Sequence, residues 1–198
     1  MPTTSRTASL GCGPYAAETG SSASVTSCSP RPTRRTWIGR TFVGDRGGRR
    51  RRPGFDLLVR QHQLPMAARL TRDLSEVSFV LDHLGKPALG LPEMAEWSRD
   101  LRALAASPNT SAKLSGLVTE VQLPHWTPGD LRPAVDDALD AFGPDRLMFG
   151  SDWPVCLLAS SYPRWVDALA ELLAEHDAAS QARIWGDTAR RVYRLAAS

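Results

Sequence analysis

Four short stretches of the chain end in side chains that can move protons or hold anions: Arg60, the pair Asp82-His83, Ser115 two residues after Lys113, and Ser151-Asp152. A carboxylate such as Asp152 can act as a general base on water. An imidazole such as His83 can donate to a carbonyl oxygen or ligate a divalent metal. Each residue taken singly also has an ordinary reading: a helix salt bridge for Arg60, a hydrogen-bonded core imidazole for His83, a cap for Asp152, and for Lys113 an inward-facing residue paired to a neighbouring carboxylate. Their common placement is the stronger signal, because every one follows an apolar, β-rich run.

Those runs alternate with helical patterns from Phe55 onward, the signature of βαβ units and a parallel sheet. Strands are expected at residues 55–59, 77–82, 112–117 and 146–150. The first helix draws its apolar stripe from Leu64, Ala67, Ala68, Leu70 and Leu74, and a second is expected over residues 94–106. The third has clear ends: Thr127 is placed to cap it with Pro128 at the first helical position and Asp130 in the first turn, and Gly143-Pro144 stops it. Two more are expected near residues 162–176, with Trp165, Leu169, Leu172 and Leu173 on one side, and 179–195. In a parallel α/β barrel the C-terminal strand ends converge on one face, where active sites are built.

The chain has 198 residues, enough for one buried core but short of the roughly 250 of a complete eight-stranded barrel. Its formal charge of +3 is unevenly spread. Residues 1–54 hold ten of the 24 basic residues against two acids, Glu18 and Asp45, whereas the remainder carries 14 against 19. Residues 1–54 are rich in Ser, Thr, Gly, Pro and Arg, so they are expected to form a disordered leader separate from a domain at 55–198. The run Gly47-Gly48-Arg49-Arg50-Arg51-Arg52 could bind phosphate, but no aromatic or helical scaffold surrounds it, so a nucleic-acid partner is not expected. Cys12, Cys28 and Cys156 are odd in number and lack CxxC spacing, which argues against a disulfide framework or zinc knuckle. No apolar run approaches the roughly 18 residues of a membrane span, and the expectation is a cytoplasmic protein with no membrane partner.

Four segments occur in a telling order: Phe79-Val80-Leu81-Asp82-His83-Leu84-Gly85-Lys86-Pro87, Ala112-Lys113-Leu114-Ser115-Gly116-Leu117, Arg146-Leu147-Met148-Phe149-Gly150-Ser151-Asp152-Trp153-Pro154, and the closing Ile184-Trp185-Gly186-Asp187-Thr188-Ala189-Arg190-Arg191-Val192-Tyr193-Arg194-Leu195. Together they resemble the amidohydrolase-related family of the amidohydrolase superfamily, which includes sugar-lactone and dicarboxypyrone lactonases. The resemblance implies an α/β fold, a partial TIM (β/α)8 barrel whose four strands are the family's fifth to eighth. It implies a hydrolase that opens a small-molecule lactone, with Asp152 as the base on water and His83 on the carbonyl oxygen or a metal. Arg60, Lys86, His125 and Trp153 are the candidate substrate contacts, and His83 and Asp152 the candidate ligands of a zinc-like divalent metal. A metal-free mechanism stays open beside it, since catalytic zinc normally takes three protein ligands.

The family's His-x-His pair on strand one has no counterpart here, because His62 and His125 do not form one. From this the expectation is a chain that lacks the front half of the barrel, with its activity impaired. Residues 36–43 can be encoded by a string that in a shifted frame resembles the stretch these lactonases carry before the strand matching residues 55–59, so residues 1–54 are expected to be read from another frame. A metal-dependent decarboxylase of the same superfamily and an inactive half-barrel are the alternatives. Oligomeric state is left open.

Overall fold

The computed structural model describes residues 37–41, 54–121 and 125–195. One five-stranded sheet runs through them in the order β1 (Trp37–Thr41), β2 (Gly54–Leu58), β3 (Ser78–Leu81), β4 (Thr110–Leu114) and β5 (Leu147–Phe149). β2 to β5 are parallel, with Phe55 opposite Phe79, Leu81 opposite Ala112 and Leu114 opposite Phe149. Consecutive parallel strands require a crossover, and helices α1 (Leu64–Asp73), α2 (Met94–Ala105) and α3 (Pro128–Phe142) supply the three. α4 (Tyr162–Leu172), α5 (Ala178–Ala182) and α6 (Thr188–Tyr193) follow β5. This is an α/β fold, an arc of a (β/α)8 barrel.

The strand alternation separates two faces. Leu57, Phe79, Leu81, Ala112, Leu114 and Leu147 turn toward the helices, where Leu64, Trp97, Leu101, Leu104, Leu131, Val135, Trp165 and Leu169 complete one buried core. Asp56, Val80, Ser111, Lys113 and Met148 alternate onto the other face, the inner face of the arc. That face carries charge as well as apolar surface, and the site is built at its C-terminal rim.

Several expectations change in detail. β1 lies inside the stretch read as a leader and pairs antiparallel with β2, Gly39 opposite Asp56. Its five residues, WIGRT, are short against the Ser- and Arg-rich composition around them, which hid the signal; the rest of residues 1–53 lies outside the described part. The third parallel strand starts two residues earlier than expected, because Thr110 and Ser111 are buried strand residues despite their polarity. Leu74 leaves the α1 stripe, standing 45% exposed just past the helix end. The closing helix continues to Tyr193 but widens into a π-helical turn at Arg183–Asp187 between α5 and α6. α3 begins and ends where Thr127 and Gly143 place it, with Asp130 accepting from the Thr127 amide at 2.7 Å. No helix of the described residues is long and apolar enough to cross a membrane.

Candidate active site

The chain leaves β3 through a strained turn. His83, Leu84, Gly85 and Lys86 all have positive φ, at 54°, 50°, 71° and 58°. Three of them are not glycine, and each such residue costs about 1–2 kcal/mol in backbone sterics, so the surroundings must hold the turn in place. The Trp97 indole, buried in α2, donates to the Leu84 carbonyl at 2.8 Å. The Lys86 amide closes onto the His83 carbonyl at 2.8 Å. His83 Nδ1 lies 2.8 Å from Ser115 Oγ, just past the end of β4. Gly116 completes the seat: at φ +66° it has no Cβ, and one built there would lie 2.8 Å from the His83 ring.

Asp152 arrives from β5 by a second tight path. Gly150 passes so close to β4 that a Cβ there would stand 2.8 Å from the Ser115 Cβ, and its carbonyl accepts from the Trp165 indole at 3.0 Å. Asp152 itself has φ 51°, and its carbonyl accepts from the Cys156 amide at 2.8 Å. Asp152 Oδ1 faces His83 Nε2 at 3.6 Å, with the two side chains 12% and 16% exposed. That separation is too long for a hydrogen bond. Asp152 Oδ2 is buried and has no hydrogen-bond partner among the described residues. A buried carboxylate oxygen left without a donor is costly unless something else is meant to meet it.

Burial pushes the His83 imidazole below its ordinary range, partly offset by the charges of Asp152 and Asp82. The ring is therefore neutral near neutral pH, with one nitrogen protonated. If the Ser115 hydroxyl donates to Nδ1, then Nε2–H is the donor that faces Asp152.

The remaining sequence candidates take different places. Lys86 pairs with Glu120 at 2.7 Å, joining the turns that follow β3 and β4. Trp153, beside Asp152, is 66% exposed. Arg60 is exposed just past β2, and His125 is exposed next to the buried Trp126. The geometry thus brings His83 and Asp152 together, while Arg60 and His125 stand in the open. Lys113 lies on the inner face 2.6 Å from Asp82 and 3.4 Å from Asp56, in keeping with an inward-facing lysine paired to carboxylates. Reading the sequence missed Ser115 as the hydrogen-bond partner of His83, and Tyr193, whose hydroxyl donates to Asp56 Oδ1 at 2.7 Å. Strand alternation could have put Ser115 beside Lys113 on the inner face; nothing local could have paired Tyr193 with a residue 137 positions away.

A parallel barrel arc with an Asp–His pair at the C-terminal rim defines a class, and the chain belongs to it: its residues 37–195 match the amidohydrolase family. It is 48% identical to the L-fucono-1,5-lactonase of Burkholderia multivorans, over 71% of this chain and 51% of that protein. It is 35% identical to the L-fucono-1,5-lactonase of Burkholderia ambifaria, over 71% and 50%. A crystal structure of an amidohydrolase from Burkholderia multivorans with zinc bound superposes with a TM-score of 0.68 at 44% identity, covering 72% of this chain and 53% of that one. The chain spans about half the length of the curated relatives it matches.

Zinc in that relative raises the question of fit. Here His83 Nε2 and Asp152 offer two donors 3.6 Å apart, and among the described residues no three His, Cys, Asp or Glu side chains gather to hold a metal. A catalytic zinc normally takes three protein ligands. The described residues therefore do not fit a complete metal site.

Proposed function

We propose that this chain carries the water-activating part of a lactone hydrolase, residues 55–198 being the last four strands of the barrel and their helices. Asp152 takes a proton from water as the water oxygen attacks the lactone carbonyl carbon, and His83 donates its Nε2–H to the carbonyl oxygen. The ring carbon–oxygen bond then breaks, and the released alkoxide takes up the proton to give a hydroxy acid. The observation that carries the reading is the Asp152 carboxylate, still 12% exposed, with its Oδ1 3.6 Å from an imidazole delivered from another strand. A carboxylate that solvent reaches beside an imidazole suits a water attacking a carbonyl held between them.

The relatives' names point to a sugar-acid lactone as the substrate class. Trp153 offers an exposed ring for a sugar face, and Lys86, Arg60 and His125 offer donors to hydroxyl or carboxylate oxygens. Hydrolysis of sugar lactones followed with a pH indicator tests the proposal. Asp152→Asn should lower the rate at least about a hundredfold; equal rates for the variant and the unmodified chain would remove Asp152 from the mechanism.

A further inference from the structure

We infer that Lys113 is a positioning residue that sets the place of the His83 imidazole through Asp82. The inference rests on the hydrolytic role proposed for His83. Asp82 is the residue at which the chain leaves β3 and the one immediately before the left-handed run of His83 to Lys86. Its Oδ1, which makes no other hydrogen bond among the described residues, lies 2.6 Å from the Lys113 ammonium. Whatever holds the Asp82 carboxylate holds the point from which the turn departs.

Lys113 is well placed to be that anchor. It comes from the penultimate position of β4, and two residues further on the same strand direction delivers Ser115 to His83 Nδ1. One strand therefore holds two consecutive residues where the turn begins, Asp82 and His83. The ammonium is itself held from the far side: Asp56 lies 3.4 Å away, Tyr193 donates to Asp56 at 2.7 Å, and the Tyr193 ring stands 5.4 Å from the ammonium. Burial works against the lysine charge, but the two carboxylates outweigh it and keep the group protonated. A fixed cation between two anions has little freedom to move, so the geometry at Asp82 is passed on to His83.

The test uses the full chain labelled with 15N-histidine. Lys113→Met alone leaves two carboxylates facing each other and risks the fold, so it is paired with Asp56→Asn to keep the charge balance. Asp82→Ala is the second variant; it removes both carboxylate oxygens and so cuts the tether, while Lys113 keeps Asp56. In both, the His83 ring nitrogens should shift and the ring should lose its close proton contacts to Ser115 and Gly116, while the signals of His62, His125 and His176 and the circular dichroism stay as they were. Unchanged His83 contacts in folded Asp82→Ala or in the folded double variant would overturn the inference. In turnover, Asp82→Ala should lower kcat about tenfold or more with KM retained. Absence of lactone turnover in the unmodified chain would count against the hydrolytic reading alone, because the ring geometry reports on Lys113 without it.

Discussion

Gly116 shows how closely the site is fitted at the level of single residues. A methyl added there meets the His83 ring at 2.8 Å, and the backbone sits at φ +66°. Gly116→Ala should therefore cost about 1–3 kcal/mol in urea denaturation and push the imidazole off Ser115. The same seat gives His83 a signature in pH. Burial lowers its proton affinity in the folded state, whereas the unfolded chain takes up the proton at the ordinary 6.5. Below that value the unfolded state binds more protons than the folded one, so stability present above about pH 6.5 is lost as the pH falls toward the depressed folded value. Urea midpoints at pH 7.5 and 5.5 should differ, and His83→Gln should shrink the difference. An unchanged difference in His83→Gln would show that this ring is not its source.

Elements are joined to the site by a few polar contacts that no periodicity reveals. Trp97 ties α2 to the Leu84 carbonyl, so the helix both fills the core and restrains the strained turn. At the opposite end of the strands, Arg146 gathers helix termini: it donates to the Ala105 carbonyl at 2.7 Å and to the Phe142 and Ala141 carbonyls at 3.1 Å. These are the C-terminal ends of α2 and α3, whose last carbonyls have no partners within their own helices. One planar guanidinium reaches three of them, and a lysine cannot copy that fork. Arg146→Lys should destabilise the fold by about 2–3 kcal/mol in thermal or urea melts, without moving the His83 ring signals. A melt unchanged by the substitution would mean that water serves those carbonyls equally well.

At the scale of the whole molecule, the hydrogen bond from Tyr193 to Asp56 joins described residues 137 positions apart. It fastens the last helix to the first parallel strand, so the two ends of the arc depend on each other. Burial and the neighbouring Asp56 charge hold the Tyr193 phenol above its usual range, which keeps it a donor at any ordinary pH. Tyr193→Phe removes the donor and keeps the ring; a loss of about 1–3 kcal/mol is expected, read as a lower urea midpoint. No change would mean that packing of the closing segment, such as Trp185 of the turn before α6 on Phe149 with ring centroids 4.9 Å apart, suffices without the hydroxyl.

The sequence alone determined the order of elements from β2 onward, the four parallel strands and the strand ends that carry chemistry, because these depend on local periodicity, turn residues and caps such as Thr127 and Gly143; the antiparallel β1 it did not reveal. It also singled out His83 and Asp152, which follow apolar runs in motif-like segments. Only the tertiary structure decided that they meet at 3.6 Å, that Ser115 orients the ring, and that Asp82 answers to Lys113. Those facts depend on left-handed backbone at His83 and Asp152 and on strand register. Non-glycine residues adopt such backbone only when packing from distant segments holds them there, and no local pattern records it.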